Sequence, residues 1–148
     1  MKKRILVIED EGSIFEMIKE QMDEEQYEFV RARNVSEAEG EYNNSKQEGE
    51  EAFICHIVDL QIGSKGLSEN EMTEFFYREG YAWIKKVLDG LNSREKRDSF
   101  KKRTIICSKY VLNFKEEYSN NDLKGFILVP KKPGFEKEIK KIINKFNL

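Results

Sequence analysis

Arg4-Ile5-Leu6-Val7-Ile8-Glu9-Asp10-Glu11 decides how the rest of the chain is read. Its four consecutive apolar residues, three of them β-branched, have the composition of a strand buried on both faces, which belongs inside a parallel sheet rather than in a half-exposed hairpin. Three acids follow without a spacer. Open α/β sheets bind ligands at the C-terminal ends of their strands, so this strand delivers negative charge to the functional edge.

Working outward, four more strands follow. Residues 27–32 carry charges among the apolar side chains, which suits an exposed edge strand. Residues 52–60 are apolar throughout and end at Val58-Asp59-Leu60, a second acid-tipped strand. Residues 104–108 end in Ser108, and residues 125–130 end in Pro130 before Lys131-Lys132-Pro133, the proline pointing to an edge position. Helical stretches separate the strands. Ser13 and Glu16 offer a capping box for a first helix with Ile14, Met17, Ile18 and Met22 on one face. A weak polar helix begins at Asn34 or Ser36 and carries Val35, Ala38 and Tyr42, while residues 43–51 are too polar for core. Ser68 and Glu71 offer another capping box, leading to Met72, Phe75 and Phe76 and then to Trp83, Ile84, Val87 and Leu88, as one broken helix or two short ones. Residues 89–103 read as a polar, basic connection, residues 110–118 as a helix, and residues 135–146 as a last helix with Ile139, Ile142, Ile143 and Phe146 on one face. Alternating β and α with right-handed crossovers predicts a flavodoxin-like doubly wound five-stranded parallel sheet, order 2-1-3-4-5, with helices on both faces.

At 148 residues the chain amounts to one domain. Its 26 basic and 28 acidic residues nearly cancel, so no global field argues for nucleic acid. The basic run from Arg94 to Arg103 also holds Glu95 and Asp98, as a solvated surface does. No apolar run is long enough to span a membrane. Cys55 and Cys107 sit inside apolar runs at different strand heights, which suits free core thiols of a cytoplasmic protein rather than a disulfide. His56, within a strand, is expected as a hydrogen-bonded core histidine.

In the 2-1-3-4-5 order strands one and three are neighbours, so Glu9, Asp10 and Asp59 converge, with Ser108 and Lys132 beside them. Two like charges about 4 Å apart repel by about 4 kcal/mol at an effective dielectric near 20, so such a trio needs a cation. Oxygen ligands favour Mg2+, and a carboxylate beside that ion and a lysine can accept a phosphoryl group. With these residues in this order, the chain resembles the receiver domains of two-component response regulators over nearly its whole length. The resemblance implies that Asp59 is phosphorylated by a histidine kinase or phosphotransfer protein. It implies that Asp10, Asp59 and the backbone carbonyl of Gln61 ligate Mg2+, with Glu9 acting through water. Lys132 would pair with Asp59 and then with phosphate, Ser108 would close over the phosphate, and the Lys132-Pro133 bond would be cis. With no output segment after the last helix, the chain is similar to single-domain regulators that signal by contacts with a target protein, without direct nucleic-acid or membrane binding. Dimerisation through the last helices is left open.

Several positions depart from the family pattern. Glu9 replaces the more usual Asp, Lys109 follows Ser108 where a small residue is usual, and Gly63 replaces a proline. Counting back from Lys132 gives Val129 at the switch aromatic's place, with Phe126 the nearest aromatic. Roughly a dozen extra residues form an insertion at about 64–79. Its Met72, Phe75, Phe76 and Tyr77 suit packing on the domain more than docking a partner. The alternative reading is a receiver that is not phosphorylated and serves as an interaction module. A Mg2+ phosphohydrolase is a third, disfavoured by the absence of Asp-x-Asp in strand one.

Overall fold

The structure is a computed structural model and describes residues 2–47, 53–63, 65–75, 78–109 and 124–146. Five parallel strands, β1 (Lys3–Ile8), β2 (Tyr27–Ala32), β3 (Cys55–Val58), β4 (Thr104–Ser108) and β5 (Ile127–Pro130), form one sheet in the order β2-β1-β3-β4-β5. This is the flavodoxin-like arrangement. Among the described residues the helices are α1 (Gly12–Glu20), α2 (Val35–Gln47), α3 (Glu69–Glu74), α4 (Glu79–Gly90), α5 (Arg94–Lys102) and α6 (Phe135–Lys145). The helix expected over residues 110–118 lies outside the described residues.

Strand alternation divides the core in two. Leu6, Ile8, Val58 and Ile106 face α2, α4 and α5, meeting Val35, Ala38, Tyr42, Trp83, Ile84 and Phe100. Ile5, Val7, Ile57, Ile105 and Val129 face α1 and α6, meeting Phe15, Ile18, Met22, Phe135, Ile139 and Ile143. Cys55 and Cys107 are free thiols in this second layer, and burial pushes the Cys107 thiol up to about 12, so it stays protonated.

His56 is fully buried in the first layer. Thr104 Oγ1 donates to the Phe100 carbonyl at 2.7 Å, so its lone pair accepts from His56 Nδ1–H at 3.1 Å, leaving Nε2 as a bare acceptor. Burial, reinforced by the Arg103 charge, pushes the imidazole pKa down to about 3.

Four local expectations are corrected. The Ser13 and Glu16 capping box does not form: the chain enters α1 at Gly12 with Glu11 as N-cap and no side-chain cap, which places Ser13 inside the helix. The buried face of α1 runs through Phe15, Ile18 and Met22, leaving Met17 38% exposed. Polar residues after Asn43 continue α2 to Gln47, and Ser45 is buried with its hydroxyl accepting from Arg4 Nη1 at 2.7 Å. The basic connection contains α5, capped by Ser93 accepting from the Lys96 N–H at 3.1 Å; one buried side chain, Phe100, anchors it. A single anchor leaves no apolar period to read.

The region after β3 holds two helices rather than one. Ser68 and Glu71 form a reciprocal capping box at α3. Gly66, at φ +98°, lies against the α2 terminus so closely that a Cβ would meet Ser36 N at 2.5 Å. Lys86 of α4 pairs with Glu39 of α2 and Glu71 of α3 at 3.1 and 3.4 Å. Phe75 is buried beside Tyr81, whereas Phe76 and Tyr77 lie outside the described residues.

Candidate functional site

Register builds the site. Ile8 and Val58 are paired across β1 and β3, so the next residues, Glu9 and Asp59, leave the sheet side by side, and the Asp59 N–H donates to the Ile8 carbonyl at 2.9 Å. Carboxylate oxygens of Glu9, Asp10 and Asp59 lie within 4.8 Å of one another. Glu9 and Asp59 are 3% and 8% exposed, whereas Asp10 faces solvent. Glu9 Oε1 accepts from the Glu11 N–H at 3.1 Å, and Asp59 Oδ1 from the Gln61 N–H at 3.2 Å.

The cation is Lys131, not Lys132. Its Nζ donates to Glu9 Oε2 and Asp59 Oδ2, both at 2.8 Å. β5 pairs Pro130 with Ser108, and the Lys131 N–H extends that ladder to the Ser108 carbonyl at 3.2 Å. The Lys132 N–H then turns back to the Pro130 carbonyl at 2.9 Å, and Lys132 is exposed. The strand end selects the lysine, just as it selects Asp59 after Val58. The proline is therefore one residue further from the site lysine than expected, and no peptide bond among the described residues is cis, Lys132-Pro133 included. Counted from Lys131, the switch-aromatic place falls on Leu128 rather than Val129; neither is aromatic.

The electrostatics follow from burial. Withdrawal from water, then the Asp59 charge, raises the Glu9 pKa to about 7 against the opposing pull of Lys131. Burial alone would lower Lys131, but the charges and hydrogen bonds of Asp59 and Glu9 outweigh it and hold the ammonium well above its usual range. One lysine does not neutralise two buried acids plus Asp10. Oxygen donors close together, unfilled demand for positive charge and an exposed Asp10 fit a hard divalent cation such as Mg2+.

A cavity of about 530 Å3 opens over the trio, lined by Asp10, Glu11, Asp59, Gln61, Gly63, Glu79, Lys109 and Lys131. Gly63 has φ +82°, a left-handed conformation that favours glycine. Ser108 stands at the end of β4 but is fully buried, and Lys109 rather than Ser108 lines the cavity. The α4 terminus reaches the end of β3 directly: Gly80 N–H donates to the Leu60 carbonyl at 2.9 Å, and a Cβ on Gly80 would lie 2.0 Å from the Asp59 carbonyl oxygen. Glu79 therefore enters the cavity wall, a placement with no signal in the sequence.

No protein-family model and no curated protein matches the chain. Solved structures do. The chain is similar to the response regulator TrrA of Thermotoga maritima, solved in complex with Mg2+-BeF, at 25% identity and TM-score 0.62, covering 99% of both chains. It is similar to the HemR receiver domain of Leptospira biflexa in its non-phosphorylated form, at 20% identity and TM-score 0.64 over 98% of this chain and 94% of that one. A CheY-like receiver domain protein of Methanospirillum hungatei matches at 21% identity and TM-score 0.60, covering 99% and 95%. Over nearly its whole length, this chain has the fold of response regulator receiver domains and is similar to them.

Proposed function

We propose that the chain is a Mg2+-dependent phosphoryl acceptor at Asp59 that signals through protein contacts. The observation that carries the reading is Lys131, held at 2.8 Å from both Glu9 and Asp59 at the edge where Asp10 also stands. An Asp59 carboxylate oxygen attacks the phosphorus of a phosphohistidine on a kinase or phosphotransfer protein. The P–N bond breaks as the O–P bond forms, and the imidazole nitrogen leaves with the bond's electron pair and takes up a proton. Glu9, Asp10, Asp59 and the Gln61 carbonyl would hold Mg2+, which neutralises charge on the transferred oxygens. Lys131 would exchange its Glu9 contact for a phosphoryl oxygen, and the Ser108 hydroxyl, at the end of β4, would donate to another. Buried free thiols agree with a cytoplasmic setting.

Incubation with Mg2+ and acetyl phosphate, read by mass spectrometry, tests this. The expected result is one added phosphoryl group, absent from Asp59→Asn. No adduct together with no Mg2+ binding would leave an interaction module instead, and sustained turnover of the donor would make the chain an enzyme.

A further inference from the structure

We infer that Arg31, on edge strand β2, is a positioning residue of the metal site, a role that rests on the reading above. Its Nε donates to the Glu9 carbonyl at 3.1 Å and its Nη2 to the Asp10 carbonyl at 2.7 Å. These are the two peptides that carry the acid pair. They need a partner because the sheet stops supplying one: β1 ends at Ile8, β2 at Ala32, and the last ladder contact is the Glu9 N–H to the Ala32 carbonyl at 2.9 Å. Beyond it the chain bends into α1 through Glu11, an N-cap with no side-chain cap bond. The guanidinium fork continues the ladder where the backbone cannot. Two carbonyls held in one rigid plane fix the peptide orientations of Glu9 and Asp10, and with them the directions in which both side chains leave.

The surroundings are shaped for this side chain. Arg31 pairs with Val7 in the register, one residue short of the strand end, so its reach ends over the acid loop. The guanidinium carbon lies 5.9 Å from the Phe15 ring centroid, and a Cβ on Gly12 would come within 3.3 Å of Nη1. A glycine at the head of α1 thus leaves the fork its space.

Two effects of Arg31 on a cation have opposite signs, and this makes the inference testable. As a charge, Arg31 repels Mg2+, so removing it would tighten binding. As a positioning residue it assembles the ligands, so removing it weakens binding. Titration calorimetry with Mg2+ on the full chain compares wild type with Arg31→Met, which loses charge and fork, and Arg31→Lys, which keeps the charge alone. Both variants are expected to bind about 10-fold or more weakly, the range found for groups that orient metal ligands. Arg4→Met removes a clamp at the other end of β1, where Arg4 holds Ser45 and Glu28, and is expected to lower stability without moving Mg2+ affinity. Tighter or unchanged binding by Arg31→Met, or unchanged binding by Arg31→Lys, overturns the positioning role and leaves the phosphoacceptor reading standing. A wild-type chain that shows no Mg2+ binding overturns that reading and this role with it.

Discussion

Replacing Lys131 by Met removes the one ammonium shared by Glu9 and Asp59, and its cost is set by what those acids do next. At an effective dielectric near 20, each 2.8 Å contact carries about 6 kcal/mol of gross attraction, most of it offset by the desolvation of the three groups. Breaking a buried pair costs about 3–5 kcal/mol when the abandoned charge stays charged. Glu9 need not stay charged. Its pKa already stands near 7, and losing the lysine raises it further, so the variant binds a proton instead of enduring two adjacent carboxylates. At pH 5 wild-type Glu9 is protonated as well, so only the Asp59 contact is lost, and because Asp59 borders the open cavity and keeps the Gln61 N–H the cost falls below that of a fully buried pair, to about 1–2 kcal/mol. Above pH 7 wild-type Glu9 ionises beside Lys131 while the variant's holds its proton, so the folded variant binds about one proton more than wild type. Its deficit therefore widens by up to about 1.4 kcal/mol per pH unit, to about 3 kcal/mol at pH 8. Urea denaturation followed by far-ultraviolet circular dichroism at pH 5, 7 and 8, without Mg2+, reads these values. Lys132→Met, on an exposed side chain, is expected to stay within about 0.5 kcal/mol throughout. A deficit that does not change with pH, or one carried by Lys132, would refute the reasoning.

Further outcomes follow from the same contacts. Raised to about 7, the Glu9 carboxyl contributes stability that is complete below its ordinary 4.5 and is lost as pH rises through 7; Glu9→Gln should gain about 2–3 kcal/mol at pH 8 without Mg2+, measured by the same melts. His56 works in the opposite sense. Depressed to about 3, it contributes stability that is complete above 6.5 and falls as pH drops, by about 1.4 kcal/mol per unit. The two trends offset each other between pH 4.5 and 6.5, so across that window Glu9→Gln should steepen the rise of stability with pH and His56→Leu should reverse or flatten it; parallel profiles for both variants would contradict the assignment. Gly80→Ala puts a methyl group 2.0 Å from the Asp59 carbonyl oxygen and should cost about 2–3 kcal/mol in a thermal or urea melt, with unchanged stability ruling out the close fit of α4 on the end of β3.

The fold was legible because every strand but β2 is a short apolar run ending at or just before a residue that apolar strands do not otherwise carry. Ile5 to Ile8 and Ile57-Val58 gave the interior strands, and β2 was bounded to the residue, its charges marking an edge. Glu9 and Asp59 were placed together by strand order alone, and register put them side by side. The lysine was missed by one position because it was chosen by its neighbouring proline rather than by where β5 ends; two adjacent lysines look alike until the ladder to Ser108 distinguishes them. Arg31 and Glu79 could not be found by pattern. One acts through backbone carbonyls, which have no sequence signature, and the other reaches the cavity because a glycine lets a helix approach. Helix α5 escaped because one buried phenylalanine makes no periodicity.

Trp83 is the chain's single tryptophan. It is fully buried, within 6 Å of the rings of Tyr42, His56 and Phe100, and three residues along α4 from the glycine that touches the Asp59 carbonyl. The molecule thus carries its own optical reporter: one indole, unlabelled, on the helix whose first turn is fitted against the end of β3. Its emission comes from one defined environment, so a change on adding Mg2+ or a phosphodonor has one residue to be assigned to. The neutral imidazole beside it gives the same fluorophore an independent acid-side readout.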